Sequence, residues 1–181
     1  MDLNTQLFLW FNSASAANPS VQALVLALAL FCAKYLIAAL PAALLFLWWR
    51  GASAQKRAVA LALAVMALAW GLALLIDAYY PHPRPFMLGL GQLRMMHAPT
   101  PSFPSHHLSP WWAAAFTLCG YRSTRRWGIG LALLGLPLAW GRIYMGVHFP
   151  LDMLGAAGVA LCSAALVCWV QGRLAAPSPL K

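Results

Sequence analysis

Residues 55–76 read QKRAVALALAVMALAWGLALLI, and after Lys56 and Arg57 no charged residue interrupts them. About twenty apolar residues in a row make a helix long enough to cross the hydrocarbon of a bilayer. Backbone polar groups in lipid must be satisfied within the segment, so a run of this kind has to be helical. The remainder of the 181-residue chain has the same character, being 62% hydrophobic and only 8% charged. The sequence therefore predicts an all-α integral membrane protein with a single domain over residues 1–181.

Further spans are expected at 107–121, 127–144 and 149–171. Between Val21 and Trp49 an apolar stretch is interrupted by Lys34. It is too short for two crossings, so it reads as one long tilted span or as a short helix joined to a span. The expected architecture is a bundle of five or six transmembrane helices. Ahead of it, Leu3, Leu7 and Trp10 recur at helical spacing beside Asp2, Asn4 and Asn12, which predicts an amphipathic interfacial helix over 1–18. That segment has neither the basic start nor the long apolar stretch of a signal peptide. The other end, 174–181, contains Pro177 and Pro179 and is expected to be a disordered tail.

The formal charge is +9, and it is clustered. Arg50, Lys56 and Arg57 share one loop, Arg122, Arg125 and Arg126 share another, and Arg173 and Lys181 lie near the C-terminus. With spans between them, these groups fall on one face, which the positive-inside rule assigns to the cytoplasm. Basic residues in short loops between spans do not make a nucleic-acid surface, so no nucleic-acid partner is expected. Cys32, Cys119, Cys162 and Cys168 lie in apolar runs without metal-type spacing and read as packing residues.

The polar residues of the opposite face fall in three short segments: PHPRPF at 81–86, FPSHH at 103–107 and GRIYMGVHFPLD at 141–152. In the last, His148 and Asp152 stand four apart, on one face of a helix that Pro150 can begin. An aspartate there can hold one imidazole nitrogen and free the other to attack phosphorus, although such a pair can also simply anchor a helix. Arg142 stands six residues earlier. Arg84, between two prolines, can act as a rigid phosphate fork, the alternative being an arginine that reaches for headgroups. Arg94 is read as an arginine of that second kind. Ser105 at a helix start offers a hydroxyl beside free N–H groups, and His107 in the first turn can pass a proton to a leaving oxygen. His106 points elsewhere on the helix and does not share that task. Five histidines raise a zinc site as a rival, but arginines within the same motifs oppose a cation and no H-x3-H or H-E-x-x-H pattern occurs, so no metal ligand is assigned.

These three segments, in order and correctly spaced, resemble the motifs of the type 2 phosphatidic acid phosphatase superfamily. More narrowly they resemble its bacterial undecaprenyl pyrophosphate phosphatases, a likeness that extends through FCAKYLIAALPAALLFLWW at 31–49 to the last span. The resemblance implies that His148 is the nucleophile that forms a phosphohistidine and Asp152 its orienting partner. It makes His107 the general acid and then the base for water, and it has Arg84, Ser105 and Arg142 hold phosphoryl oxygens, without a cofactor or metal. The implied substrate is a polyprenyl pyrophosphate, and the implied role is recycling of the cell-wall lipid carrier from a site facing the periplasm or exterior of the bacterial inner membrane. Rival readings are phosphatidylglycerophosphate or another lipid phosphate as substrate, phosphate transfer to lipid A, and a non-catalytic anion-binding membrane protein. Three positions depart from the broad pattern. Asp77 stands where a lysine is usual, His106 replaces glycine or aspartate, and Gly141 replaces the serine before Arg142. His82 matches the PH-x-RPF form of the diphosphate-cleaving branch, which makes His82 and His106 possible accessory residues. The sequence leaves the oligomeric state open.

Overall fold

A computed structural model of the chain describes residues 1–13 and 18–175. Among the described residues every regular element is helical: α1 (Leu3–Ser13), α2 (Pro19–Leu30), α3 (Ala39–Arg50), α4 (Ser53–Tyr79), α5 (Leu108–Cys119), α6 (Arg125–Tyr144) and α7 (Pro150–Ala175). Between α2 and α3 the backbone widens to a π-helical turn at Phe31–Tyr35 and tightens again at Leu36–Ala38, so 19–50 forms one continuous helical segment with Lys34 in the wide turn.

α5 is the hub of the bundle, packed on α4, α6 and α7. Its sequence LSPWWAAAFTLC is apolar on every side, as a helix enclosed by others must be. Trp111 is fully buried, and the indole N–H groups of Trp111 and Trp112 donate to the Leu131 and Ala132 carbonyls of α6 at 2.7 and 3.2 Å. α4 buries Ala58, Ala62, Val65, Ala69 and Ala73, a helical stripe of small residues that allows close approach. Leu63, Trp70, Leu74 and Leu75 of the same helix are exposed, an outer surface suited to lipid tails.

Five or six crossings are expected from the sequence; by length and composition three helical segments reach that standard, at 19–50, 53–79 and 150–171. α5 is only 12 residues long, about 18 Å of helix. α6 has 20 residues but carries Arg125, Arg126 and Arg142 together with several glycines, so its apolarity falls short.

Two contacts gather the basic residues at one end of the bundle. Gln55 Nε2 donates to the Ser123 carbonyl at 3.3 Å, and the Tyr121 hydroxyl donates to Gln171 Oε1 at 3.0 Å. The expected polar segments lie at the other end, with α1. That helix forms over much of the predicted interfacial stretch, with Leu3, Leu7 and Trp10 exposed. Its inner side is tied into the bundle. Phe8 is fully buried edge-on to Phe149, and Asn4 Oδ1 accepts the Leu151 N–H at 3.0 Å. Asn12 donates to the Gln92 and Tyr144 carbonyls at 3.0 and 2.9 Å. Residues 14–17 of the expected interfacial segment lie outside the described residues. α7 continues to Ala175, two residues into the expected tail, and 176–181 lie outside the described residues.

Candidate active site

The long segment between α4 and α5 and the short corner between α6 and α7 meet at His148. The corner is made by Gly146, whose φ of 82° is a left-handed conformation that side chains rarely adopt. A Cβ there would also collide with the Gln92 carbonyl. The turn brings His148 to within 3.0 Å of Asp152 Oδ2 through Nδ1, with both side chains 1% exposed. Pro150 opens α7, so Asp152 lies in its first turn as the spacing predicts.

Asp152 Oδ2 is held on three sides. It accepts from the Ser102 hydroxyl at 2.5 Å, from the Phe149 N–H at 2.8 Å and from His148. On the far side of the ring, Arg84 Nη1 is 3.1 Å from His148 Nε2. A guanidinium can only donate, so Nε2 accepts and the ring proton sits on Nδ1, facing the carboxylate. The imidazole is thus neutral, with its lone pair on Nε2, the nitrogen turned toward Arg84. Burial, and after it the charges of Arg142 and Arg84, depresses the His148 pKa well below the ordinary histidine value.

Arg84 is held rigidly, but by more partners than the sequence suggests. Nε donates to the Thr100 carbonyl, Nη1 to the Val147 carbonyl and to His148, and Nη2 to Thr100 Oγ1 and the Pro101 carbonyl, at 2.7–3.2 Å. All five donors are engaged, so a phosphoryl oxygen would have to take over the one directed at His148. Arg142 differs. It is 3% exposed, and its Nη2 lies 3.2 Å from His97 Nε2 and 3.4 Å from His107 Nδ1. Its buried Nε has no partner. Ser105 Oγ is likewise buried without a partner, while the Ser105 N–H donates to the Asp152 carbonyl at 3.3 Å. An orphaned guanidinium donor and an orphaned hydroxyl at one site are the groups an oxyanion would satisfy.

Of the sequence-nominated residues, His148, Asp152, Arg84, Arg142, Ser105 and His107 therefore come together. The two accessory histidines sit beside the site. His82 accepts the Ser102 N–H through its carbonyl and turns its ring edge-on to Phe149, 5.6 Å between centroids. His106 Nε2 lies 2.7 Å from Asp77 Oδ2. Two of the three departures from the usual motifs are thus paired with each other, joining the end of α4 to the start of α5.

Sequence reasoning missed Ser102, Thr100 and His97. Ser102 stands one turn of chain ahead of Ser105, a proximity that could have nominated it, whereas His97 follows two methionines with no pattern around it. Arg94 also departs from expectation. Instead of reaching outward it donates to the Tyr144 carbonyl at 2.9 Å, stacks 4.4 Å over the Tyr144 ring and faces the same cavity as Arg142. Among the described residues no three His, Cys, Asp or Glu side chains are grouped as a metal ligand set.

A buried histidine–carboxylate pair beside partly unsatisfied arginine and serine donors, at one end of a helical bundle, is an arrangement suited to an anion. The PAP2 superfamily profile matches residues 58–175, and the chain belongs to that superfamily of phosphatases. YbjG of Escherichia coli (strain K12), whose naming as an undecaprenyl-diphosphatase is provisional, is 38% identical over 175 residues, covering 93% of this chain and 83% of that one. Undecaprenyl-diphosphatase BcrC of Bacillus subtilis (strain 168) is 30% identical over 88% of this chain and 79% of its own. The crystal structure of Aquifex aeolicus LpxE shares the fold, with a TM-score of 0.70 at 24% identity over 93% of this chain and 96% of that one.

Proposed function

We propose that this enzyme removes the terminal phosphate of undecaprenyl diphosphate, regenerating the monophosphate carrier, through a phosphohistidine on His148. The observation that carries the reading is the His148 ring, fixed by Asp152 on one nitrogen and presenting an unprotonated Nε2 to the Arg84 guanidinium. Nε2 attacks the terminal phosphorus, and the bond to the bridging oxygen breaks. The lipid monophosphate leaves with the bond electrons, and Asp152 balances the cation that develops on the ring. Arg142, Ser105 and the Nη1 donor of Arg84 take the charge on the phosphoryl oxygens. An anion bound to Arg142 draws its donors away from His107, which favours protonation of that ring, and the ring gives this proton to the bridging oxygen as it departs. In the second half His107 takes a proton from water as the water attacks the phosphohistidine, and inorganic phosphate is released. None of these steps calls for a metal ion.

The same reading places the chain, as one domain, in the bacterial inner membrane with the site facing the periplasm or exterior. The basic end, held together by Gln55 and Tyr121, is then cytoplasmic. In that orientation the segment 19–50 and helices α4 to α7 make five passes, with α5 and α6 enclosed by the longer helices. The test is phosphate release by purified protein in detergent with excess EDTA, from undecaprenyl diphosphate, phosphatidylglycerophosphate and phosphatidic acid. The diphosphate should give the highest kcat/KM, and His148→Ala should abolish turnover and the acid-labile phosphoprotein together. A preference for either monophosphate ester would move the substrate assignment, and near-normal activity of His148→Ala would overturn the mechanism.

A further inference from the structure

Beside the reacting centre lies a cavity of about 500 Å³ lined by Lys34, Arg94, His97, His107 and Arg142. The mechanism uses only the last two. Lys34 and Arg94 bring two more positive charges, and the chain has little with which to neutralise them. It contains three acidic residues in all. Asp2 is bonded to Thr5 on α1, Asp77 pairs with His106 and Asp152 with His148. Among the described residues no carboxylate lies within ion-pair distance of Lys34, Arg94 or Arg142. A lysine inside a long apolar helical segment is costly, and at such a position it marks a functional site by default.

The backbone is shaped to bring it there. Lys34 sits in the π-helical turn Phe31–Tyr35, a local widening that recurs at functional sites. That turn touches α6 at Gly141, where a Cβ would stand 2.8 Å from both the Ala29 carbonyl oxygen and the Ala33 nitrogen. A serine at 141 would force the two segments apart. About 24 Å of helix separates Lys34 from Arg50 and likewise Arg142 from Arg126, so the two charges stand at the same depth from the basic end.

Resting on the reading above, we infer that Lys34 and Arg94 form a second phosphate subsite, one that holds the lipid-side phosphate of a diphosphate ester while the terminal phosphate is attacked. The non-transferred phosphate keeps its negative charge throughout the reaction and gains more as the bridging oxygen leaves. Cations at this place therefore act on the leaving group as well as on binding. The subsite distinguishes a diphosphate from a monophosphate ester, a difference that the groups around His148 do not sense.

The test has a binding arm and a kinetic arm. Affinities of inorganic pyrophosphate and inorganic phosphate for the purified protein in neutral detergent are measured by calorimetry, which needs no turnover. Pyrophosphate should bind the tighter, and Lys34→Met should narrow the ratio about tenfold, the worth of one charge-assisted contact. Lys34→Arg should restore it. Arg94→Gln should act in the same direction, but Lys34→Met decides the matter because Lys34 is exposed and its ammonium lies over the exposed Tyr35 ring rather than in the core. In the kinetic arm, the ratio of kcat/KM for prenyl diphosphate to that for the matching prenyl monophosphate should fall about tenfold in Lys34→Met. An unchanged pyrophosphate-to-phosphate ratio in Lys34→Met overturns the subsite. So does a loss seen only in anionic vesicles, which would make Lys34 a contact for bilayer headgroups. Failure of the wild-type protein to cleave prenyl diphosphate would instead remove the proposed function, whatever the binding arm shows.

Discussion

Ser102 gives Asp152 its shortest hydrogen bond and sits 3.4 Å from the ring nitrogen that Asp152 also holds. Both contacts lie on the Nδ1 side of the ring, away from Nε2, so in the proposed mechanism Ser102 would act by fixing where the carboxylate and hence the imidazole point. Ser102→Ala should lower kcat about tenfold with little change in KM, the loss of one hydrogen bond to a charged group. Asp152→Asn should cost far more, on the order of 10³–10⁴, because the ring then loses both its tautomer and its balancing charge. A larger effect of Ser102→Ala on KM than on kcat would contradict the positioning role. A second expectation concerns acid. His148 is neutral because burial and then Arg142 and Arg84 disfavour its protonated form, so the ring takes up a proton only as pH falls well below the ordinary value of about 6.5. Nitrogen NMR of labelled histidine should show His148 still neutral at the pH where an ordinary histidine is half-charged, about 6.5. A ring already charged at that pH would remove the nucleophile from the neutral state the mechanism needs. Of these residues, His148 and Asp152 were legible because their i, i+4 spacing is a local signal. Ser102, Thr100 and His97 were not, since their partners stand some 46 or 45 positions away or are reached only through the path of the loop.

Among the elements, the segment 19–50 resisted reading most. The sequence could show that Lys34 interrupts an apolar run, but not that the interruption is absorbed by a π-helical turn in one continuous helix. Such a turn shifts hydrogen bonds by one residue and leaves no mark in apolar periodicity. The replacement of serine by Gly141 shows in the sequence only as a departure from the motif, whereas in the fold it is the point where two backbones meet. Gly141→Val should push α6 from the Phe31–Tyr35 turn and destabilise the protein by about 1–3 kcal/mol, as overpacking does. The check is a lowered midpoint of thermal unfolding in detergent, together with a reduced ratio of pyrophosphate to phosphate affinity. An unchanged midpoint would mean that the contact at Gly141 does not hold the two elements together. By contrast α4 and α7 were plain in the sequence, because long uninterrupted apolar runs admit one solution in lipid.

At the scale of the whole molecule, charge and chemistry are separated along the bundle axis, with arginines of the short loops at one end and the histidine site at the other. The orientation that follows can be checked with an impermeant thiol reagent on intact cells, after the four native cysteines are changed to alanine. Met96→Cys, near the site and 96% exposed, should be labelled, and Ser123→Cys should be labelled only after the cells are opened. The opposite pattern would put the site in the cytoplasm. The bundle axis also bears on how the site comes into being. Asn12 bonds to Gln92 and Tyr144, and Asn4 to Leu151, so a helix made early in synthesis closes on segments made late. The contacts of α1 with Tyr144 and Leu151 can form only after α6 and the start of α7 have been made, and His148 and Asp152 are themselves among the last of these residues to arrive. A chain that is stalled or truncated before α7 thus carries His148 and the arginines but lacks both Asp152 and the Asn4–Leu151 bond. The candidate site is therefore complete only once the first turn of α7 has been made.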